Sequence, residues 1–146
     1  MRCISSEKCS EINGEIIVPG DKSISHRALI IGSMVTGKII IKNLLESEDI
    51  LATSMALKNF GITLTKKNEG CWEIFGSGIG NLVQPLSTIN MGNSGTGVRL
   101  LMGLVAGSDI EATFIGDKSL SNRPMRRIVT PLLRTGAKIN NTSGLL

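Results

Sequence analysis

One pattern occurs twice in this chain and constrains its fold more than any other feature. An apolar helix closed by glycine leads into a strand, and a second apolar helix closed by glycine leads into another. In the first copy, Ala28-Leu29-Ile30-Ile31 marks a buried helix stopping near Gly37, and Lys38-Ile39-Ile40-Ile41 is a β-branched strand. Ser47-Glu48-Asp49 supplies the acidic first turn of the next helix, whose apolar positions Ile50, Leu51, Met55, Leu57 and Phe60 keep helical spacing up to Gly61. In the second copy the helices span about Gly97–Ala106, stopped at Gly107, and Pro124–Arg134, stopped at Gly136, with strands Ile110–Ile115 and Ala137–Ile139 after them. The first copy also carries a leading strand, Glu15–Val18, ended by Pro19-Gly20. Strands Ile62–Thr65 and Cys71–Phe75 follow its second helix, joined by the polar turn Lys66–Gly70, and Gly76–Pro85 is a glycine-rich loop. The pattern predicts an α/β (α+β) fold in which each unit lays helices on one face of a small sheet. Such units need neighbours to finish burying their apolar faces. The chain ends at Asn140–Leu146 directly after an expected strand, which reads as a protein cut short.

Composition excludes several function classes. At 146 residues and 41% hydrophobic, the chain matches one ordinary domain, able to bury roughly 68–70% of its unfolded surface without staples. It contains no 18-residue apolar run, and its start, MRCISSEKCS, is too polar for the apolar segment of a secretory signal, so a cytoplasmic location is expected. Cys3, Cys9 and Cys71 are odd in number and form no CxxC, and His26 is the single histidine, so reduced thiols are expected rather than a disulfide framework or metal site. The formal charge of +4 is modest, its basic residues are scattered apart from Arg123, Arg126 and Arg127, and aromatic residues make up only 3%. Base-stacking platforms for nucleic acid are therefore lacking, and a small anionic ligand fits better.

Three segments carry candidate chemistry. Gly20-Asp21-Lys22-Ser23-Ile24-Ser25-His26-Arg27 places two hydroxyls, a lysine and an arginine at the first turn of a buried helix, where free N–H groups and the positive end of the helix dipole favour phosphate or carboxylate. The same residues also fit a plain helix cap by Ser23 or Ser25. Met91-Gly92-Asn93-Ser94-Gly95-Thr96-Gly97-Val98-Arg99 resembles a phosphate-cradling loop but matches neither GxxxxGK[ST] nor GxGxxG, and on spacing alone a flexible helix entry fits it as well. Gly116-Asp117-Lys118-Ser119-Leu120-Ser121-Asn122-Arg123-Pro124-Met125 echoes the first segment's Asp-Lys-Ser, and Pro124 biases Arg123 to extended backbone and suits a first helical position. In isolation it equally fits a solvated basic loop. His26 is expected at the surface of the first helical turn. Glu46, Glu48 and Asp49 read as helix-start charges, from which a carboxylate can reach a ligand hydroxyl.

Taken jointly, Pro19–Arg27, Gly92–Arg99 and Leu120–Met125 closely resemble the signatures of the 5-enolpyruvylshikimate-3-phosphate (EPSP) synthase family, and the resemblance runs from about Gly14 to Ile139. The related enolpyruvyl transferases acting on UDP-N-acetylglucosamine carry a Lys-Asn pair where this chain has Lys22-Ser23. The resemblance implies transfer of the enolpyruvyl group of phosphoenolpyruvate to the 5-hydroxyl of shikimate 3-phosphate, in aromatic amino-acid biosynthesis, without metal or organic cofactor. It implies that Lys22 contacts both substrates and assists proton transfer, and that Ser23 and Arg27 hold shikimate 3-phosphate. Asn93, Gly95, Thr96 and Arg123 would form the phosphoenolpyruvate pocket, with Gly95 leaving room for a ligand.

Family members are about three times longer and have two domains, each of three βαβαββ units. The resemblance therefore implies that residues 1–18 cross toward the second domain, while 19–146 form an incomplete first domain with repeats at about 19–80 and 81–146. The family's carboxylate base and further basic residues would lie beyond Leu146. A chain of this extent is expected to be inactive alone, with the missing C-terminal part as a possible partner chain. A weak binding module for a phosphorylated ligand and a non-functional relic are the alternatives.

Overall fold

The computed structural model describes residues 4–140. Its first helix, α1 (Lys22–Met34), is started by Asp21, whose Oδ1 accepts the Ile24 amide at 2.7 Å. It ends where Val35 turns extended, one residue before strand β1 (Thr36–Ile41). Gly37 therefore does not stop the helix but lies inside β1 with a positive φ of 104°, opposite Gly76. Helix α2 (Glu48–Asn59) places Glu48 and Asp49 in its first turn and buries Ile50, Ala56 and Leu57, and Gly61, at φ 85°, follows its end as expected.

Strands β2 (Thr63–Asn68) and β3 (Cys71–Ser77) form an antiparallel hairpin, and β1 pairs antiparallel on the other side of β3. Ile39, Ile74 and Leu64 align across the three strands and turn toward the helices. On the opposite face Glu73 draws in Lys38 and Lys67, at 2.6 and 3.3 Å. Strand β2 runs on to Asn68, with Lys67 at its bulge. The hairpin turn is therefore only Glu69-Gly70, shorter than the expected Lys66–Gly70, after a bulge at Lys66/Asn68.

The second half opens with a two-residue strand, β4 (Ile89–Asn90), too short to show periodicity. It pairs parallel with β5 (Phe114–Ile115), and helix α3 (Gly95–Ala106) makes the crossover between them. Only this tip of the expected Ile110–Ile115 strand finds a partner. Within the expected polar loop sits a short helix, α4 (Lys118–Ser121), whose cap Asp117 accepts the Leu120 amide at 2.7 Å. The repeated Asp-Lys-Ser thus makes the same cap twice. Helix α5 (Arg126–Arg134) starts two residues after Pro124, which therefore precedes it rather than opening it.

Two expected strands do not form. Glu15–Val18 is extended and exposed, with Ile17 97% accessible, and Ala137–Ile139 follows α5 without strand pairing. A strand needs a neighbouring edge for its N–H and C=O groups, and among the described residues neither segment meets one. Residues 141–146 and Cys3 fall outside the described residues; Cys9 and Cys71 are free thiols.

The core lies between α1, α2 and α3 and the sheet, built on Leu29, Ile50, Leu57, Phe60, Ile74 and Leu101. Phe60 meets Phe114 edge-on at 6.4 Å, joining the two halves. Gln84 adds a second joint, donating to Glu111 O at 2.7 Å and accepting the Glu111 amide at 2.9 Å. Among the described residues no helix is long and apolar enough to cross a membrane.

Candidate functional site

Because Asp21 takes the cap, neither Ser23 nor Ser25 is spent on it. Ser25 is buried and its Oγ accepts the Leu45 amide at 3.0 Å, tying α1 to the loop after β1. Ser23 stays at the open end of the helix, where Arg27, four residues on, donates to its hydroxyl and to its carbonyl at 3.2 Å. Lys22 reaches across to the Asp49 carboxylate at the start of α2. Asp49 is therefore more than a helix-start charge, since it positions the lysine.

His26 departs from its expected surface position: it is fully buried, with Nδ1 2.9 Å from Thr53 Oγ1. The spacing carried the signal, since Ser25, His26, Leu29, Ile30 and Ser33 recur on one helical face. Desolvation holds the His26 pKa below the usual histidine value, and Lys22 and Arg27 push the same way against the opposing pull of Asp49.

The second segment enters α3 two residues earlier than expected. Ser94 is fully buried, and its hydroxyl donates to the Asp49 carbonyl at 3.2 Å. A Cβ on Gly95 would stand 2.5 Å from Arg123 Nη1 and 2.9 Å from Arg99 Nη1, so two guanidinium groups lie over this position. Arg123, from the third segment, donates to Asn93 Oδ1. Arg99 bridges the same two segments, donating to Gly95 O at 3.0 Å and Pro124 O at 3.3 Å.

The three segments thus converge through contacts running from Lys22 to Asp49, from the Asp49 backbone to Ser94, and from neighbouring Asn93 to Arg123. Thr96 is exposed on the first turn of α3 and takes no part in those bonds. Glu46 belongs elsewhere. It accepts Trp72 Nε1 at 2.8 Å, the Gly70 amide at 3.0 Å and Lys66, and these bonds, Lys66 foremost, lower its pKa. Sequence reasoning assigned no role to Arg99, Thr53 or Ser94. The i,i+4 spacing of Gly95 and Arg99 was the readable sign for the first, while the other two depend on tertiary contact.

Basic side chains gathered at two helix entries define an α/β scaffold with Lys22, Arg27, Arg99 and Arg123 beside the starts of α1 and α3. The family model described as EPSP synthase (3-phosphoshikimate 1-carboxyvinyltransferase) matches residues 6–145. The chain belongs to the EPSP synthase family. It is 51% identical over 139 residues to a 3-phosphoshikimate 1-carboxyvinyltransferase of Zymomonas mobilis, covering 95% of this chain and 31% of that protein. The corresponding protein of Parvibaculum lavamentivorans is 49% identical over 141 residues, with 97% and 31% covered. A solved EPSP synthase from Acinetobacter baumannii superposes with a TM-score of 0.85 at 40% identity, over 91% of this chain and 30% of that one. The chain spans about a third of the length of the relatives it matches.

Proposed function

We infer that this chain carries the first third of an enzyme that moves the enolpyruvyl group of phosphoenolpyruvate onto the 5-hydroxyl of shikimate 3-phosphate, releasing phosphate. The observation that carries this reading is Arg123 crossing thirty residues to Asn93 directly over Gly95, a small cationic corner suited to a phosphate or carboxylate. Ser23, Arg27 and Lys22 are assigned to shikimate 3-phosphate, and Lys22, Asn93, Gly95, Thr96 and Arg123 to phosphoenolpyruvate.

In the reaction the 5-hydroxyl oxygen bonds to C2 of phosphoenolpyruvate while C3 gains a proton and the hydroxyl loses one. The tetrahedral product then loses phosphate from C2 and a proton from C3. Lys22, held by Asp49, is the group within this chain to share protons and steady the charge as it shifts. The guanidinium groups position anions through paired N–H donors.

Residues 19–146 are read as two units of a first domain, with boundaries near 80 and 81, and 1–18 as a segment directed to a second. The substrates are soluble metabolites, in keeping with a cytoplasmic enzyme. Alone the chain would hold ligand without turnover. Two or three charge-assisted bonds, set against an association cost of at least about 4 kcal/mol, leave millimolar affinity or weaker.

An amide-resolved NMR titration with shikimate 3-phosphate tests the reading. Shifts centred on Lys22, Ser23 and Arg27 are expected, and dispersed peaks indifferent to ligand would overturn it. Mixing with a folded chain supplying the remaining two thirds should restore phosphate release.

A further inference from the structure

We propose that His26 and Thr53 are positioning residues that lock the α1 entry and the α3 entry into one rigid cradle, through a buried strut of His26, Thr53, the Asp49 carbonyl and Ser94. Three of its side chains, those of His26, Thr53 and Ser94, are fully buried, and they come from three different helices or helix entries. Thr53 Oγ1 and Ser94 Oγ both reach the Asp49 carbonyl at 3.2 Å. Donation of the Thr53 hydroxyl to that carbonyl leaves its oxygen to accept from His26 Nδ1 at 2.9 Å, and this arrangement assigns the imidazole its Nδ1–H form.

The other ring nitrogen agrees with this assignment. Nε2 is buried without a protein partner, and a bare acceptor is tolerated there better than a bare N–H. Gly97 completes the fit: a Cβ on it would stand 2.5 Å from Ser94 Oγ and 2.6 Å from Thr53 Oγ1, so α3 docks against the strut only with glycine at that position. Lys22 and Ser23 lie one turn before His26, and Asn93 and Gly95 flank Ser94. The strut therefore sets the distance between the two groups of residues assigned above to the two substrates. This role in positioning rests on that assignment, whereas the strut does not.

As the chain's only histidine, His26 gives a single pair of imidazole nitrogen resonances. A long-range nitrogen–proton spectrum of the whole chain is expected to show the Nδ1–H form, and Thr53→Val should abolish that preference. In the same variant, hydrogen exchange at the amides of Ser94, Gly95 and Val98 should rise about tenfold relative to Ile74 in the central strand, and Thr53→Ser should restore both signals. A general loss of stability would raise exchange at Ile74 equally, and that result overturns the proposal. An Nε2–H form in the native chain does so as well, without needing any variant to fold. If the strut signals appear but shikimate 3-phosphate shifts neither loop, the substrate assignment fails and the strut stands.

Discussion

Gly95 and Gly97 sit two residues apart at the same helix entry, yet alanine should damage the fold at Gly97 and chiefly the Arg123 contact at Gly95. At Gly97 the new methyl meets Ser94 Oγ at 2.5 Å, Thr53 Oγ1 at 2.6 Å and Met91 Cε at 3.0 Å, all from side chains that are fully buried. Overpacking of this kind costs about 1–3 kcal/mol. Displacing a hydroxyl from its carbonyl adds about 1 kcal/mol, and the gain of replacing glycine within a helix returns about 0.5–1 kcal/mol. Gly97→Ala should therefore lose about 1–3.5 kcal/mol, centred on about 2, or about 4–14 °C in thermal midpoint for a chain of this size.

At Gly95 the obstructing atoms are the far ends of two arginines, and the residue's φ is not in the left-handed region. Arg123 can swing aside by about 1 Å to reach ordinary van der Waals contact, losing its bond to Asn93 but no core packing. Gly95→Ala should change stability by no more than about 1 kcal/mol, within about 4 °C. The Asn93 side-chain amide resonance should move, and the shifts induced by phosphoenolpyruvate should shrink. Circular dichroism melts of the two variants, with that resonance as the local probe, decide the matter. A Gly97→Ala chain as stable as the parent, or a Gly95→Ala chain as damaged as Gly97→Ala, would refute the reasoning.

Acid should destabilise the chain in two stages. The folded-state pKa of His26 lies below its usual value, so below about pH 6.5 the unfolded chain binds a proton that the folded one refuses. Stability should then fall with pH by at most about 1.4 kcal/mol per unit, a slope that denaturant melts between pH 5 and 7.5 would measure and that His26→Asn should remove. Glu46 and Glu73 are both held below the usual carboxylate value, first by their lysine partners, so their contributions are complete above about pH 4.5 and disappear as pH falls further. Glu46→Gln should flatten part of that lower slope. Asp21→Ala should cost about 1 kcal/mol of stability through loss of the α1 cap, with Asp21→Ser recovering most of it in the same melts.

The helices were legible because their evidence is local. Apolar spacing and Gly61, Gly107 and Gly136 marked α2, α3 and α5 within a few residues. Strands were legible where a β-branched run was strong, as Lys38–Ile41 in β1, or where a partner was close in sequence, as in the β2–β3 hairpin. Glu15–Val18 and Ala137–Ile139 have strand composition but meet no edge among the described residues, and β4 is too short to register. The site divides the same way. Lys22, Ser23, Arg27, Asn93 and Arg123 were named from motifs, whereas the partnership of Lys22 with Asp49, the Arg99 bridge and the burial of His26 depend on which helix packs against which.

Asp49 meets its neighbours with two chemically separate handles. Its carboxylate pairs with Lys22, and its main-chain oxygen takes the hydroxyls of Thr53 and Ser94. Every amino acid brings that second handle, so replacing Asp49 edits the charge beside the lysine while the backbone acceptor remains. Tuning the lysine and keeping the architecture are thus independent problems at a single position, and variation there can alter the chemistry of the entrance while leaving its framework in place.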